Sequence, residues 1–268
     1  MTPIHYARKG NGAPPLVFVH AFGCDWTDWE SQIAHLSPIH DCVAVDLGGH
    51  GMTPARPDHR RVETHGRDVS DLITFLNLPP SVIIGNSLGC RVALEVAARV
   101  PERTKALILV DGSRLGKRGQ ANNAALGNGA SAAGYQAAAR RMFAQMFGPD
   151  FDKARIEAMT ARAMQVEPEF GTALLADIGR HDAEQMDALL AAVRVPLLAI
   201  QSTMITPEGV RLSLSRGQTS PYLDMLRETV PSVEIEIVAG VGHYPQLERS
   251  MEINELIEAF VGRLNELT

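Results

Sequence analysis

The sequence predicts an α/β protein with a mostly parallel central sheet, helices on both faces and a helical segment inserted between two of its strands. Three observations carry this. Short apolar runs at residues 16–19, 42–45, 82–84 and 106–110 alternate with stretches of helical periodicity, and unbroken apolar strands suit a sheet covered on both faces. From Arg114 to about Val193 the strand signal vanishes into Ala-, Met- and Gln-rich helical sequence, then resumes at residues 196–200 and 233–238. Between one apolar strand and the next helix stands Gly85-Asn86-Ser87-Leu88-Gly89.

The chain has 268 residues and 45% apolar content, enough to bury one substantial core, so a single domain with an insertion is expected. Residues 1–112 and 196–268 form the expected core and residues 113–195 the insertion. A net charge of -6 offers no basic stripe for phosphates, which argues against nucleic acid as a partner. Residues 1–6 lack the basic start and apolar stretch of a signal peptide, and no run is long enough to span a bilayer. A cytoplasmic location without a membrane partner is therefore the expectation. Cys24, Cys42 and Cys90 are too few and scattered for a disulfide framework, and no Cys/His cluster has zinc-ligand spacing. They read as buried thiols.

In chain order, residues 4–7 read as a short edge strand and residues 9–12 as a turn before the strand at 16–19. That strand ends in His20-Ala21-Phe22-Gly23, a tight turn that would aim backbone N–H groups at the mouth of the sheet. His20 reads as a loop histidine bonding local backbone rather than a catalytic one. Trp29, Ile33 and Leu36 share one helical face, which puts Trp29 in the core. The strand at 42–45 is closed by the glycine-dense residues 46–51, with His50 a feature of the fold. Residues 63–76 are helical by pattern, with Val69, Leu72, Ile73 and Leu76 spaced for burial, and Pro79-Pro80 ends the stretch.

The next strand runs into Ser87. A serine at a sharp strand-to-helix turn is pushed out above the sheet, and glycines two residues either side let strand and helix cross closely. Leu88, Val92, Val96 and Val100 continue at helical spacing. The strand at 106–110 ends in Asp111-Gly112-Ser113, which places a carboxylate on the same side as Ser87, although Asp-Gly is also a common turn pair. In the insertion, a small-residue stretch at 119–134 precedes apolar residues including Tyr135, Met142, Phe143, Met146, Phe147, Phe151, Met159 and Met164. These read mostly as the insertion's own core, with some available to line a pocket. After the strand at 196–200 come a polar connection and a helix at 222–229. The strand at 233–238 runs into Gly240-Val241-Gly242-His243. Of nine histidines, His243 alone follows a late strand at a glycine-rich turn, where the base of a Ser…acid…His triad belongs in chain order. Residues 252–264 close the chain as an amphipathic helix.

Residues 20–23, 46–51, 85–89 and Gly242-His243 resemble the α/β-hydrolase superfamily, and the resemblance covers nearly the whole chain. It implies an α/β-hydrolase fold with a helical cap at 113–195, between the family's sixth and seventh strands. It implies Ser87 as nucleophile, His243 as base, and the N–H groups of Phe22 and Leu88 as oxyanion hole. Ser87 in place of aspartate argues against haloalkane dehalogenase and epoxide hydrolase relatives. Two departures stand out. Ala21 replaces the glycine that many relatives carry after the loop histidine. Many relatives also place the triad acid after the seventh strand, yet residues 201–208 hold no aspartate and Glu208 is the only carboxylate near. Other relatives place it after the sixth, where Asp111 lies; Asp111 is the preferred candidate and Glu208 the alternative.

The expected activity is serine hydrolysis of a small-molecule carboxylic ester or lactone through an acyl-enzyme on Ser87, needing no metal or organic cofactor. Carbon-carbon bond hydrolysis or lyase chemistry with the same serine and histidine is a second reading, weakly cued by Asn86, and a ligand-binding receptor with little turnover a third. Met and Ala in the insertion suggest an apolar, adaptable pocket. Arg140, Arg141 and Arg211 read as solvent-facing. The oligomeric state is left open.

Overall fold

A computed structural model of the chain describes residues 4–116, 132–206 and 208–266. Its strands are β1 (Tyr6–Lys9), β2 (Leu16–Val19), β3 (Cys42–Val45), β4 (Ser81–Asn86), β5 (Thr104–Val110), β6 (Leu197–Gln201), β7 (Thr203–Ile205), β8 (Arg211–Ser213) and β9 (Glu234–Ile237). Seven of them form one sheet in the order β1-β3-β2-β4-β5-β6-β9. Only β1 runs antiparallel to its neighbour. β7 and β8 pair separately as an antiparallel hairpin.

The side-chain period of two divides the central strands between two cores. Val17, Val19, Val43, Val45, Ile83, Leu107 and Leu109 face one way; Leu16, Phe18, Cys42, Ala44, Val82, Ile84, Ala106, Ile108 and Val110 face the other. Both sets are fully buried, which is why these strands carry no polar alternation. The helices are α1 (Glu30–Leu36), α2 (Val62–Phe75), α3 (Leu88–Arg99), α4 (Ala132–Phe143), α5 (Lys153–Ala163), α6 (Pro168–Glu184), α7 (Met186–Ala191), α8 (Pro221–Thr229), α9 (Pro245–Glu248) and α10 (Ser250–Glu266). The first core is closed by α2, α3 and α8 through residues such as Val69, Leu72, Val92, Val96, Leu223 and Leu226. The second is closed by Trp29, by Ile33 and Leu36 of α1, and by Ile253, Ile257, Phe260 and Leu264 of α10. Trp29 is thus a core residue, as its helical spacing suggested.

Strand order reverses between β2 and β4: β3 lies on one side of β2, and the chain then crosses to place β4 on the other. In parallel sheets, crevices open outside the carboxyl ends of the strands at such a point. Here those ends are the loops beginning at His20 and Ser87. The register Val19 opposite Gly85 brings them level.

The four helices α4 to α7 lie between β5 and β6, where the strand signal lapsed. Part of the small-residue stretch at 119–134 lies outside the described residues. The polar connection expected after β6 instead contains the β7–β8 hairpin, whose three-residue strands are too short to leave an alternating signature. The cysteines are free and buried. Among the described residues no helix is long and apolar enough to cross a membrane.

Candidate active site

Ser87 sits at the junction of β4 and α3 with φ 56° and ψ -107°, a region that side-chain-bearing residues seldom occupy. Three hydrogen bonds hold it there. Its N–H donates to Val110 O at 3.2 Å, and its carbonyl accepts from Cys90 N at 3.1 Å and from the Arg91 guanidinium at 3.0 Å. The flanking glycines are required by close approach: a Cβ on Gly85 would lie 2.1 Å from Gly89 O, and one on Gly89 would lie 2.2 Å from Val19 O. Strand and helix thus cross without room for a methyl group. Arg91 is buried and bonds the carbonyls of Ser87 and Ser113 as well as both oxygens of Asp182 on α6. The sequence reading did not single it out.

Asp111 lies just past β5 with φ 45°, its N–H tied to Ile200 O at 2.8 Å. Its Oδ1 accepts from the backbone N–H groups of Ser202 and Thr203 at 2.8 and 2.7 Å. Oδ2 accepts from Thr203 Oγ1 at 2.6 Å and from His243 Nδ1 at 2.5 Å. Burial by itself would raise the carboxyl's pKa, but the His243 hydrogen bond and charge, the Arg211 charge and Thr203 outweigh it and lower it. Because Nδ1–H donates to Asp111, Nε2 carries the lone pair of the neutral ring. That atom is buried and has no hydrogen-bond partner among the described residues. Burial, then the Arg211 charge, hold the His243 pKa below the usual range against the pull of Asp111.

Two residues fasten the His243 loop to the nucleophile strand. Asn86, fully buried, donates through Nδ2 to the carbonyls of His243 at 3.2 Å and Val110 at 3.0 Å. Gln246 donates to Asn86 Oδ1 at 3.2 Å. Asn86 is therefore a structural clamp, a use its position beside Ser87 did not reveal. Among the described residues no hydrogen bond joins the Ser87 side chain to His243; the structure joins His243 to Asp111 and links Ser87 to them through this clamp and the β4–β5 junction.

The loop after β2 turns at Ala21, with Cys24 N–H bonded to Ala21 O at 3.2 Å. Among the described residues the Phe22 N–H has no backbone acceptor, and Leu88 opens α3, where the first N–H groups of a helix lack intrahelical partners. His20 donates from Nδ1 to Ala21 O and accepts from Leu47 N–H at Nε2, at 2.7 and 2.9 Å. Both nitrogens are spent on local backbone, in accord with its reading as a loop histidine, and burial holds its pKa well below the usual value. His50 packs edge-on against Phe22 and Phe170, with ring centroids 5.6 and 6.0 Å apart.

The inserted helices are tied to both loops. Arg162 of α5 binds Asp25 and, with two 2.6 Å contacts, Asp28. Met146 O accepts from His243 N–H at 2.6 Å, and Glu248 bridges Gly148 N–H and Gly242 N–H. Phe143, Met146, Phe147, Phe151 and Met159 pack with Ala21, Cys24, Tyr244 and Leu247, so these residues join the insertion to the core rather than filling the insertion alone.

Arg211 requires a correction. The sequence placed it in solvent, whereas its side chain is 11% exposed and reaches Asp111; the unforeseen hairpin carries it inward. Arg140 and Arg141 are exposed as expected. Glu208 is exposed and turned to Thr206, away from the His243–Asp111 pair. Among the described residues no group of three His, Cys, Asp or Glu side chains is gathered as a metal site.

The parallel sheet and the strand-to-helix turn at Ser87 define a fold of the α/β-hydrolase type. The Alpha/beta hydrolase family profile matches residues 16–256, and the chain belongs to that family. It is 24% identical over 97% of its length to the dihydrolipoyllysine-residue acetyltransferase component of the acetoin cleaving system of Cupriavidus necator, of which it spans 66%. It is 26% identical to 3-oxoadipate enol-lactonase 2 of Acinetobacter baylyi, over 98% of this chain and 94% of that one. A thermophilic esterase from Thermogutta terrifontis superposes with a TM-score of 0.79 at 21% identity, covering 97% of this chain and 93% of that one.

Proposed function

We propose that the protein is a serine hydrolase of small-molecule carboxylic esters or lactones. The observation that carries this is the His243 ring, whose Nδ1 is bonded to a buried carboxylate while Nε2 is left as a free lone pair, on a loop clamped to the strand that ends at Ser87. Nε2 takes the Ser87 proton as Oγ attacks the carbonyl, and Asp111 stabilises the imidazolium that forms. The Phe22 and Leu88 N–H groups receive the oxyanion, one such donor being worth about 3 kcal/mol. The imidazolium then protonates the leaving alcohol. Water, deprotonated by the same histidine, frees the acyl group from Ser87. Each proton is returned, so the protein's groups finish as they began.

The inserted helices α4 to α7 serve as a cap over this crevice, and the apolar cluster of Phe143, Met146 and Phe147 beside Tyr244 favours an apolar acyl or ring portion. The enol-lactonase and esterase relatives support ester and lactone substrates. Asn86 gives no support to carbon-carbon chemistry, because its side chain is taken up by the His243 loop.

The test is a panel of activated esters and small lactones assayed with wild type and Ser87→Ala. The wild type turns over members of the panel, and the variant loses at least about 1,000-fold in kcat while keeping its circular dichroism. Turnover surviving in Ser87→Ala would remove Ser87 from the mechanism.

A further inference from the structure

Asp111 Oδ2 meets three donors: His243 Nδ1, Thr203 Oγ1 and, at 3.3 Å, Arg211 Nη1. The same Nη1 donates to Thr203 Oγ1 at 2.6 Å, so arginine, threonine, carboxylate and imidazole form one closed cluster. Arg211 reaches it from β8, across the hairpin that also supplies the Thr203 amide. A permanent cation on the triad carboxylate has two effects. It fixes the carboxylate's orientation through a shared hydrogen-bond network, and it cancels part of the negative field that would otherwise hold a proton on the imidazole.

We infer that Arg211 is a positioning residue of the triad, anchoring Asp111 and keeping His243 unprotonated into acidic solution by its fixed positive charge. This rests on the reading of Ser87, Asp111 and His243 as a triad. The other groups around the pair do not supply that charge. Arg91 of α3 is paired with Asp182 and lowers the His243 pKa less than Arg211 does. Glu248 of α9 is bonded to the Gly242 and Gly148 N–H groups. Tyr244, Tyr222 and Cys90, which burial keeps as neutral acids, add none, and among the described residues the insertion meets the His243 backbone through the Met146 carbonyl. Arg211 has Asp111 as its one carboxylate partner among the described residues. Consistently, the Arg211 charge follows burial as a cause of the low His243 pKa.

The sign of the effect is fixed. Removing the cation favours imidazolium, raises the His243 midpoint and moves the acid limb of kcat/KM to higher pH. The experiment titrates the His243 ring by NMR, assigned with His243→Gln, in wild type, Arg211→Gln and Arg211→Lys, beside pH profiles of kcat/KM on an activated ester. Arg211→Gln keeps a donor for Thr203 without the charge; it should raise the midpoint and the acid limb by about one pH unit. Arg211→Lys keeps the charge and should leave both near wild type. An unmoved midpoint in folded Arg211→Gln, or equal shifts in the two variants, overturns the inference. If Arg211→Gln does not fold, the apolar Arg211→Met takes its place: a midpoint raised above that of wild type supports the inference, and an unmoved one overturns it. The ring titration needs no substrate, so it separates this inference from a failure of the hydrolase reading, which would appear as absent turnover with the midpoint shift intact.

Discussion

At Ser87 the backbone conformation can be tested apart from the hydroxyl. Holding a non-glycine residue at such a φ costs on the order of 1–3 kcal/mol, and alanine retains the Cβ that causes the strain. Ser87→Gly should therefore be more stable than Ser87→Ala by about 1 kcal/mol, read from urea midpoints, with both inactive. At Asp111 the prediction concerns the tautomer. An asparagine can turn its amide toward His243 Nδ1, placing the proton on Nε2 where a base is needed, so Asp111→Asn should lower kcat by about 1,000- to 10,000-fold. Glu208→Gln, at an exposed site, should leave kcat within about twofold. Equal losses in these two variants would contradict the assignment of the acid. The turns that carry Ser87 and His243 were legible because the first closes an apolar, buried strand and the second follows the last strand, each among glycines. The Asp111 contacts were only half legible, since they depend on where Ser202 and Thr203 aim their N–H groups, and no spacing records that. Arg211 was misread because exposure was inferred from a polar neighbourhood, while the hairpin that turns it inward left no periodic trace.

Among elements, the crossing of α3 over β2 and β4 depends on bare glycine. Gly89→Ala would force a methyl group to 2.2 Å from Val19 O and should abolish folding or displace the elbow. The contact between α5 and the loop after β2 is a second point of dependence. Asp28, buried and paired with Arg162, has its pKa raised by burial despite that cation. Losing the arginine leaves two carboxylates uncompensated, so Arg162→Met should cost about 3 kcal/mol. Adding Asp28→Asn should recover part of that loss, and a cycle of urea midpoints measures the coupling. The central strands β2 to β6 were readable because burial on both sheet faces demands continuous apolar runs. The attachment of the inserted helices was not, because it rests on long-range ion pairs and on the Met146 carbonyl, which carry no sequence period.

For the molecule as a whole, buried neutral histidines should govern stability in acid. Burial, aided by neighbouring histidines, lowers the pKa of His50 to about 4 and of His65 to about 3 and also lowers His20; burial and the Arg211 charge lower His243. In the unfolded chain each titrates near 6.5. The native state therefore binds fewer protons than the unfolded state below that pH. Stability is complete above about pH 6.5 and is lost as pH falls toward the folded values, by about 1.4 kcal/mol per pH unit for each such histidine. Both ring nitrogens of His65 are buried without partners among the described residues. His65→Phe should thus make the decline between pH 6 and 5 shallower by about one histidine's share, as read from urea midpoints at pH 7.5, 6 and 5. A wild-type midpoint unchanged from pH 7.5 to 5 would contradict this account of the interior.

The most direct measurement of the central claim is intact mass after exposure to a fluorophosphonate, for wild type, Ser87→Ala and His243→Gln. Such a reagent phosphonylates only a serine whose proton is removed by a neighbouring base and whose oxyanion is received. One stoichiometric adduct in the wild type, absent from Ser87→Ala and strongly slowed in His243→Gln, is the predicted result. A folded wild type that acquires no adduct, or an adduct that persists in Ser87→Ala, would contradict it.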